Sequence, residues 1–95
     1  MAMKREKVIE IIRDTLNSYG IRKAYLFGSF ARRERTYHDV DIAIEPPEGK
    51  FSLLDMVHIE NSLQDVVGKK CDLVTLRSIN PRMRPYIEKD LVEIV

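Results

Sequence analysis

Apolar positions along the chain follow two periods in turn. Val8, Ile11, Ile12 and Leu16 fall at helical spacing within Met3 to Tyr19, with Lys4, Arg5, Glu6, Lys7, Glu10, Arg13 and Asp14 mostly on the other side. That pattern predicts an amphipathic helix lying on a sheet, stopped at Gly20. Lys23 to Phe27 reads as a first strand, and Ser29 opens a short helix through about Arg35. Val40, Ile42 and Ile44 alternate, as a strand with one buried face requires. Pro46-Pro47-Glu48-Gly49-Lys50 ends that strand as a loop. Ser52 is a suitable N-cap, with Asp55 in the first turn, for a second long helix to about Val67. Its inward positions are expected to be Leu53, Met56, Val57, Leu63, Val66 and Val67, with Gly68 as the stop and His58 and Asp65 exposed. Cys71 to Leu76 is a third strand. Asn80 and Pro81 fit the N-cap and first position of a short helix to Lys89, with Pro85 disturbing its first turn. Leu91 to Val95 suits a last strand buried at the sheet. The expected fold is α/β: a mixed sheet of three or four strands, two longer helices on one side, and a short helix after Gly28-Ser29.

Bulk properties narrow the class. Ninety-five residues make one domain with a modest core, at 44% hydrophobic and 33% charged residues. A formal net charge of +1 lacks the basic excess of a sequence-independent nucleic-acid binder. No apolar run is long enough to span a bilayer, and the start, MAMKREKVIE, lacks a signal-peptide core. Cytoplasm is the default expectation. The single Cys71 lies in an apolar strand and reads as a small buried hydrophobe.

The chemistry concentrates in YLFGSFARRERTYHDVDIAIE, Tyr25 to Glu45. Strand alternation points Asp39 and Asp41 the same way, roughly 6.5–7 Å apart, while Val40, Ile42 and Ile44 face a core. Two carboxylates so placed repel unless a cation lies between them. Mg²⁺ prefers one or two carboxylates together with substrate phosphate oxygens. Gly28-Ser29 supplies the other half of such a site, because glycine lets backbone approach a phosphate and the helix start presents N–H groups to an anion. Arg32, Arg33 and Arg35 could meet nucleotide phosphates or an acidic partner surface, or lie in solvent. His38 could ligate, act as a base, or orient the loop. Mg²⁺ sites favour oxygen ligands, so a local hydrogen-bonding role suits His38 best. Asp72 shares its strand face with Val74 and Leu76, an odd setting for a plain solvent face, since a buried carboxylate needs a partner. Arg77, Arg82 and Arg84 form a second basic cluster, read as solvated charge.

The Gly28-Ser29, Ala31, Arg32, Asp39 and Asp41 pattern resembles the signature of the DNA polymerase β-like nucleotidyltransferase superfamily. It looks most like the minimal nucleotidyltransferases paired with HEPN-domain partners, whose common form is GSxARG followed by SDxD. Two positions depart: Arg33 stands where glycine is common, and His38 where serine is common. The resemblance implies the nucleotidyltransferase fold and a catalytic, metal-binding triad of Asp39, Asp41 and Asp72. It further implies phosphate contacts at Gly28, Ser29 and Arg32, two Mg²⁺ ions, and ATP as substrate. It implies a HEPN ribonuclease toxin as partner, adenylylated on a tyrosine by the small protein acting as antitoxin. The alternatives are a binding antitoxin or nucleotide sensor acting by contact alone, and a nucleotidyltransferase acting on RNA or a small molecule with a partner subunit. A homo- or hetero-oligomer is compatible with each.

Overall fold

In the computed structural model, residues 4–33, 39–49 and 51–95 are described. The order is α1 (Arg5–Ser18), β1 (Lys23–Phe27), α2 (Gly28–Ala31), β2 (Asp39–Glu45), α3 (Leu53–Val67), β3 (Lys70–Thr75), a 3₁₀ turn (Leu76–Ser78), α4 (Arg84–Glu88) and β4 (Val92–Glu93). The strands form one mixed sheet in the order β3-β2-β1-β4. β1 pairs antiparallel with β2 and β4, while β2 and β3 run parallel. The parallel pair follows from chain length: α3 carries the chain back to the starting edge, as a parallel connection requires.

The core lies between one sheet face and the two long helices. Val8, Ile12 and Leu16 of α1 and Ile59, Leu63 and Val67 of α3 meet Ala24, Leu26, Val40, Ile42, Ile44, Cys71 and Leu73 there. The α1 stripe is the expected one, with Ile11 partly buried against it. The α3 stripe is not. Leu63 and Val67 are buried and Met56 partly so, but Leu53 is 80% exposed, and Val57 and Val66 are exposed too. Ile59, absent from the expected set, is fully buried. The reason is geometric: positions 59, 63 and 67 are four apart and form one stripe, whereas α3 carries more apolar residues than one stripe can hold.

The neighbouring face of α3 has a different task. Glu60 Oε2 accepts the Leu73 N–H at 2.8 Å, and Gln64 Oε1 accepts the Cys71 N–H at 3.1 Å. These polar side chains occupy the outer edge of β3, which would otherwise offer unpaired backbone to another strand. The Ser52–Asp55 capping box starts α3 as expected, and the helix stops at Gly68.

Several boundaries move. The short helix after Gly28-Ser29 ends at Ala31, and the expected extension to Arg35 enters residues that are not described, as does Met3 at the start of α1. Asn80 caps a turn rather than a helix: its Oδ1 accepts the Arg82 N–H at 2.9 Å, and α4 begins only at Arg84, with Pro85 in its first turn. The last strand shrinks to Val92–Glu93, with both side chains exposed; Ile94 is the buried residue and its N–H bonds Ala24 O at 2.9 Å.

Candidate active site

The register sets the site. Asp41 is paired with Phe27 of β1 on one side and Asp72 of β3 on the other, and Asp39 is paired with Lys70. Paired residues share a face. Asp39, Asp41, Lys70 and Asp72 therefore lie on the face opposite the helices, while Val40, Ile42, Cys71 and Leu73 enter the core. All three aspartates are half-buried. Neighbouring strands stand about 4.8 Å apart, so Asp72 is brought nearer to Asp41 than Asp39 is along its own strand. The sheet thus assembles the expected trio from residues more than thirty positions apart.

Gly28 closes the site from the β1 side. Its φ is +74°, and a Cβ built there would lie 2.3 Å from Asp41 Oδ2. The Asp41 carboxylate occupies the space a side chain would need, so no other residue fits without moving it. Ser29 follows, half-buried, at the head of α2. The first N–H groups of a helix have no acceptors within it and can meet an anion. Phe30 and Ala31 pin the turn to the core. Arg5 of α1 stacks on the Phe30 ring, 4.6 Å from its centroid, and donates to Phe30 O. Arg33 has a φ of 60°, the conformation glycine takes freely. That explains why glycine suits this position and assigns Arg33 an ordinary backbone cost of about 1 kcal/mol.

Charge on this face is concentrated. Burial, then Asp72, then Asp39, push the Asp41 pKa above the ordinary carboxylate value; Arg32 and Lys70 pull it down without cancelling the rise. Lys70 Nζ lies 3.8 Å from Asp72 Oδ1. Arg32 Nη1 donates to Asp90 Oδ2 at 2.9 Å. Lys70 and Asp90 were not among the expected site residues. Lys70 could have been found, since it precedes Asp72 by two in a strand. Asp90 is 58 positions from Arg32, and no sequence period links them.

The fit to a divalent cation rests on donor chemistry. Asp72 and Asp39 raise the cost of ionising Asp41, and a hard dication between the carboxylates would relieve it. As they stand, no three His, Cys, Asp or Glu side chains among the described residues converge on one point. Mg²⁺ commonly takes only one or two carboxylates, so the pairs Asp39/Asp41 and Asp41/Asp72 fit it and a three-carboxylate cage does not.

The remaining candidates divide. His38 and Arg35 lie outside the described residues. Arg77, Arg82 and Arg84 are exposed as expected, and Arg84 pairs with Glu88 at 3.2 Å. Cys71 is buried, and its thiol is pushed up to about 11, chiefly by burial and then by Asp72. A hollow of about 430 Å³ lined by Gly20, Arg22, Lys23, Glu45, Pro46 and Glu48 sits at the other end of the sheet and contains none of the aspartates.

A family model described as Polymerase beta, Nucleotidyltransferase matches residues 6–95. The chain belongs to the polymerase β nucleotidyltransferase family. Family membership makes it a nucleotidyltransferase, with a nucleotide substrate and typically a divalent metal. Among its relatives is a Methanocaldococcus jannaschii protein provisionally named a protein adenylyltransferase. It is 38% identical over 92 residues, 96% of this chain and 94% of the relative. A solved structure described provisionally as a minimal nucleotidyltransferase superposes on this nucleotidyltransferase with a TM-score of 0.77 at 26% identity, over 95% of both chains. The fold is also that of a solved complex of a tri-AMPylated Shewanella oneidensis HEPN toxin with an MNT antitoxin. There the TM-score is 0.64 at 23% identity, covering 96% of this chain and 68% of that one.

Proposed function

We propose that this nucleotidyltransferase transfers AMP from ATP to a tyrosine hydroxyl on a partner HEPN ribonuclease toxin, and so acts as its antitoxin. The observation that carries the proposal is the pairing of Asp41 with Asp72 beside the Gly28 turn, which has no room for a side chain. A relative's name as a protein adenylyltransferase and the AMPylated toxin in a complex of like fold support AMP as the group and protein as the acceptor. The chain is read as a single catalytic domain. ATP as donor and a ribonuclease as partner imply a cytoplasmic reaction.

Ser29, the backbone after Gly28, and Arg32 hold the β- and γ-phosphates. Asp39 with Asp41 would hold one Mg²⁺, and Asp41 with Asp72 a second. Bound Mg²⁺ neutralises triphosphate charge and lowers the pKa of the attacking hydroxyl. The tyrosine oxygen forms a bond to the α-phosphorus as the bond to the bridging oxygen breaks, releasing pyrophosphate. Asp72, on the neighbouring strand, accepts the hydroxyl proton. The acceptor is delivered by the partner protein.

A label-transfer assay tests this. Purified protein, Mg²⁺ and α-labelled ATP are mixed with a lysate of the source organism, beside an Asp39→Asn control. A single labelled protein band, absent with Asp39→Asn, is expected. Label confined to RNA or small molecules would contradict the protein acceptor, and no label with ATP still bound would point to neutralisation by contact alone.

A further inference from the structure

The outer edge of β3 is covered as far as Leu73. Gln64 and Glu60, four apart on α3, accept the Cys71 and Leu73 N–H groups, two apart on β3. One more step in each series sets Met56 against Thr75. By strand alternation the Thr75 N–H points the same way as the other two, but Met56 brings only a thioether, a weak acceptor. Thr75 O is taken by Ser78 Oγ at 2.9 Å. Where the side-chain cover ends, a hollow of about 480 Å³ opens, with Phe51, Leu53, Met56, Val74, Thr75 and Arg77 among its walls. Beside it α3 presents its apolar surplus: Leu53 is 80% and Leu54 71% exposed, and Val57 is exposed too. Arg77 is exposed and is the sole charge among the described residues lining the hollow. No carboxylate among the described residues pairs with it.

We propose that this hollow docks an extended, acidic segment of the protein that carries the acceptor hydroxyl. The proposal rests on the reading of this nucleotidyltransferase as one that acts on a protein. A bulky apolar side chain of that segment fills the hollow, a backbone carbonyl accepts the Thr75 N–H, and a carboxylate meets Arg77. Addition of a foreign strand to a sheet edge uses the same backbone groups. Charge selects the occupant: a cationic rim over apolar walls is complemented by an acidic, apolar segment. A second copy pairing this patch with itself has no free carboxylate to offer there, because Asp55, beside the exposed leucines, is held in the Ser52 cap. Position ties the hollow to the chemistry. Val74 lies on the aspartate face two residues beyond Asp72, and Thr75 follows Asp72 by three residues, about 10 Å along the strand. A segment running along β3 from the hollow brings a hydroxyl a few residues away up to Asp72.

Steady-state transfer kinetics on the full chain test this. The protein labelled from α-labelled ATP in a lysate of the source organism is identified by mass spectrometry, purified and used as the acceptor at varied concentration. Wild type is compared with Leu53→Asp, Arg77→Glu and, as a control, Arg82→Glu, an exposed arginine that does not line the hollow. The KM for the acceptor should rise about 10- to 30-fold in Leu53→Asp and about 3- to 10-fold in Arg77→Glu. In both, kcat, ATP affinity by calorimetry and melting temperature should match the wild type, as should every parameter of Arg82→Glu. An unchanged KM in Leu53→Asp and Arg77→Glu would overturn the proposal. So would an equal rise in Arg82→Glu, the mark of diffuse charge attraction, or a loss of ATP affinity, which would give the hollow to the nucleotide. A wild-type dimer that Leu53→Asp splits, read by sedimentation, would give it to a second copy and overturn the proposal as well. If the wild type labels no protein at all, the reading as a protein adenylyltransferase fails and the docking site falls with it, a result distinct from a labelled acceptor with unchanged KM.

Discussion

Asp41 sits at the centre of the acidic face. Its carboxylate fills the place of a Gly28 side chain and faces Asp72 across the strand pair. Gly28→Ala must either displace the carboxylate or leave the left-handed backbone, and both spoil the turn. The expected outcome is a loss of nucleotidyl transfer together with a destabilisation of about 1–3 kcal/mol, read by urea unfolding. The raised Asp41 pKa has its own signature. A carboxyl with a raised native pKa binds protons more tightly folded than unfolded, so stability falls as pH rises from the unfolded pKa through the native one. Asp41→Asn removes that penalty. It should melt higher than the wild type at about pH 7 and show no gain at about pH 3, where the carboxyl is protonated in both states. A melting series across that range checks the sign. The pairing of Gly28-Ser29 with Asp39-x-Asp41 was legible because strand alternation alone puts both acids on one face. Asp90 was not legible, since its partner is fixed by tertiary packing.

At the scale of elements, the sheet and α1 were readable because their apolar positions match one period without surplus. α3 was not, because an apolar surplus hides which stripe is buried. Glu60 and Gln64 bond the β3 edge and thereby fix the helix rotation that buries Ile59, Leu63 and Val67. The rotation predicts an unequal pair of substitutions. Ile59→Ala, at a fully buried position, should cost about 2–5 kcal/mol. Leu53→Ala should fall within about 0.5 kcal/mol of wild type. Denaturant midpoints of the two variants read the difference directly, and equal losses would mean the helix is turned otherwise. The late elements were misjudged in length for a different reason. Pro81 and Pro85 in quick succession divide one helical pattern into a turn and a short helix, and only two residues of the last apolar run find a strand partner.

For the whole molecule, one sheet face packs under the two long helices and the other carries the aspartates. The helices, the β3 edge bonds and the C-terminal bonds at Ile94 and Asp90 hold the sheet, and the aspartates lie on the face away from the helices. No helix among the described residues is long and apolar enough to cross a membrane. The division of faces makes a sharp demand: removing the central carboxylate should stop transfer while the fold stands. The direct measurement is the rate of label transfer from α-labelled ATP with Asp41→Asn beside the wild type, at matched concentration and with melting curves for both. Transfer should fall by at least about 10²-fold with the melting temperature unchanged or raised. Transfer within a few-fold of the wild type would remove Asp41, and with it the acidic face, from the reaction.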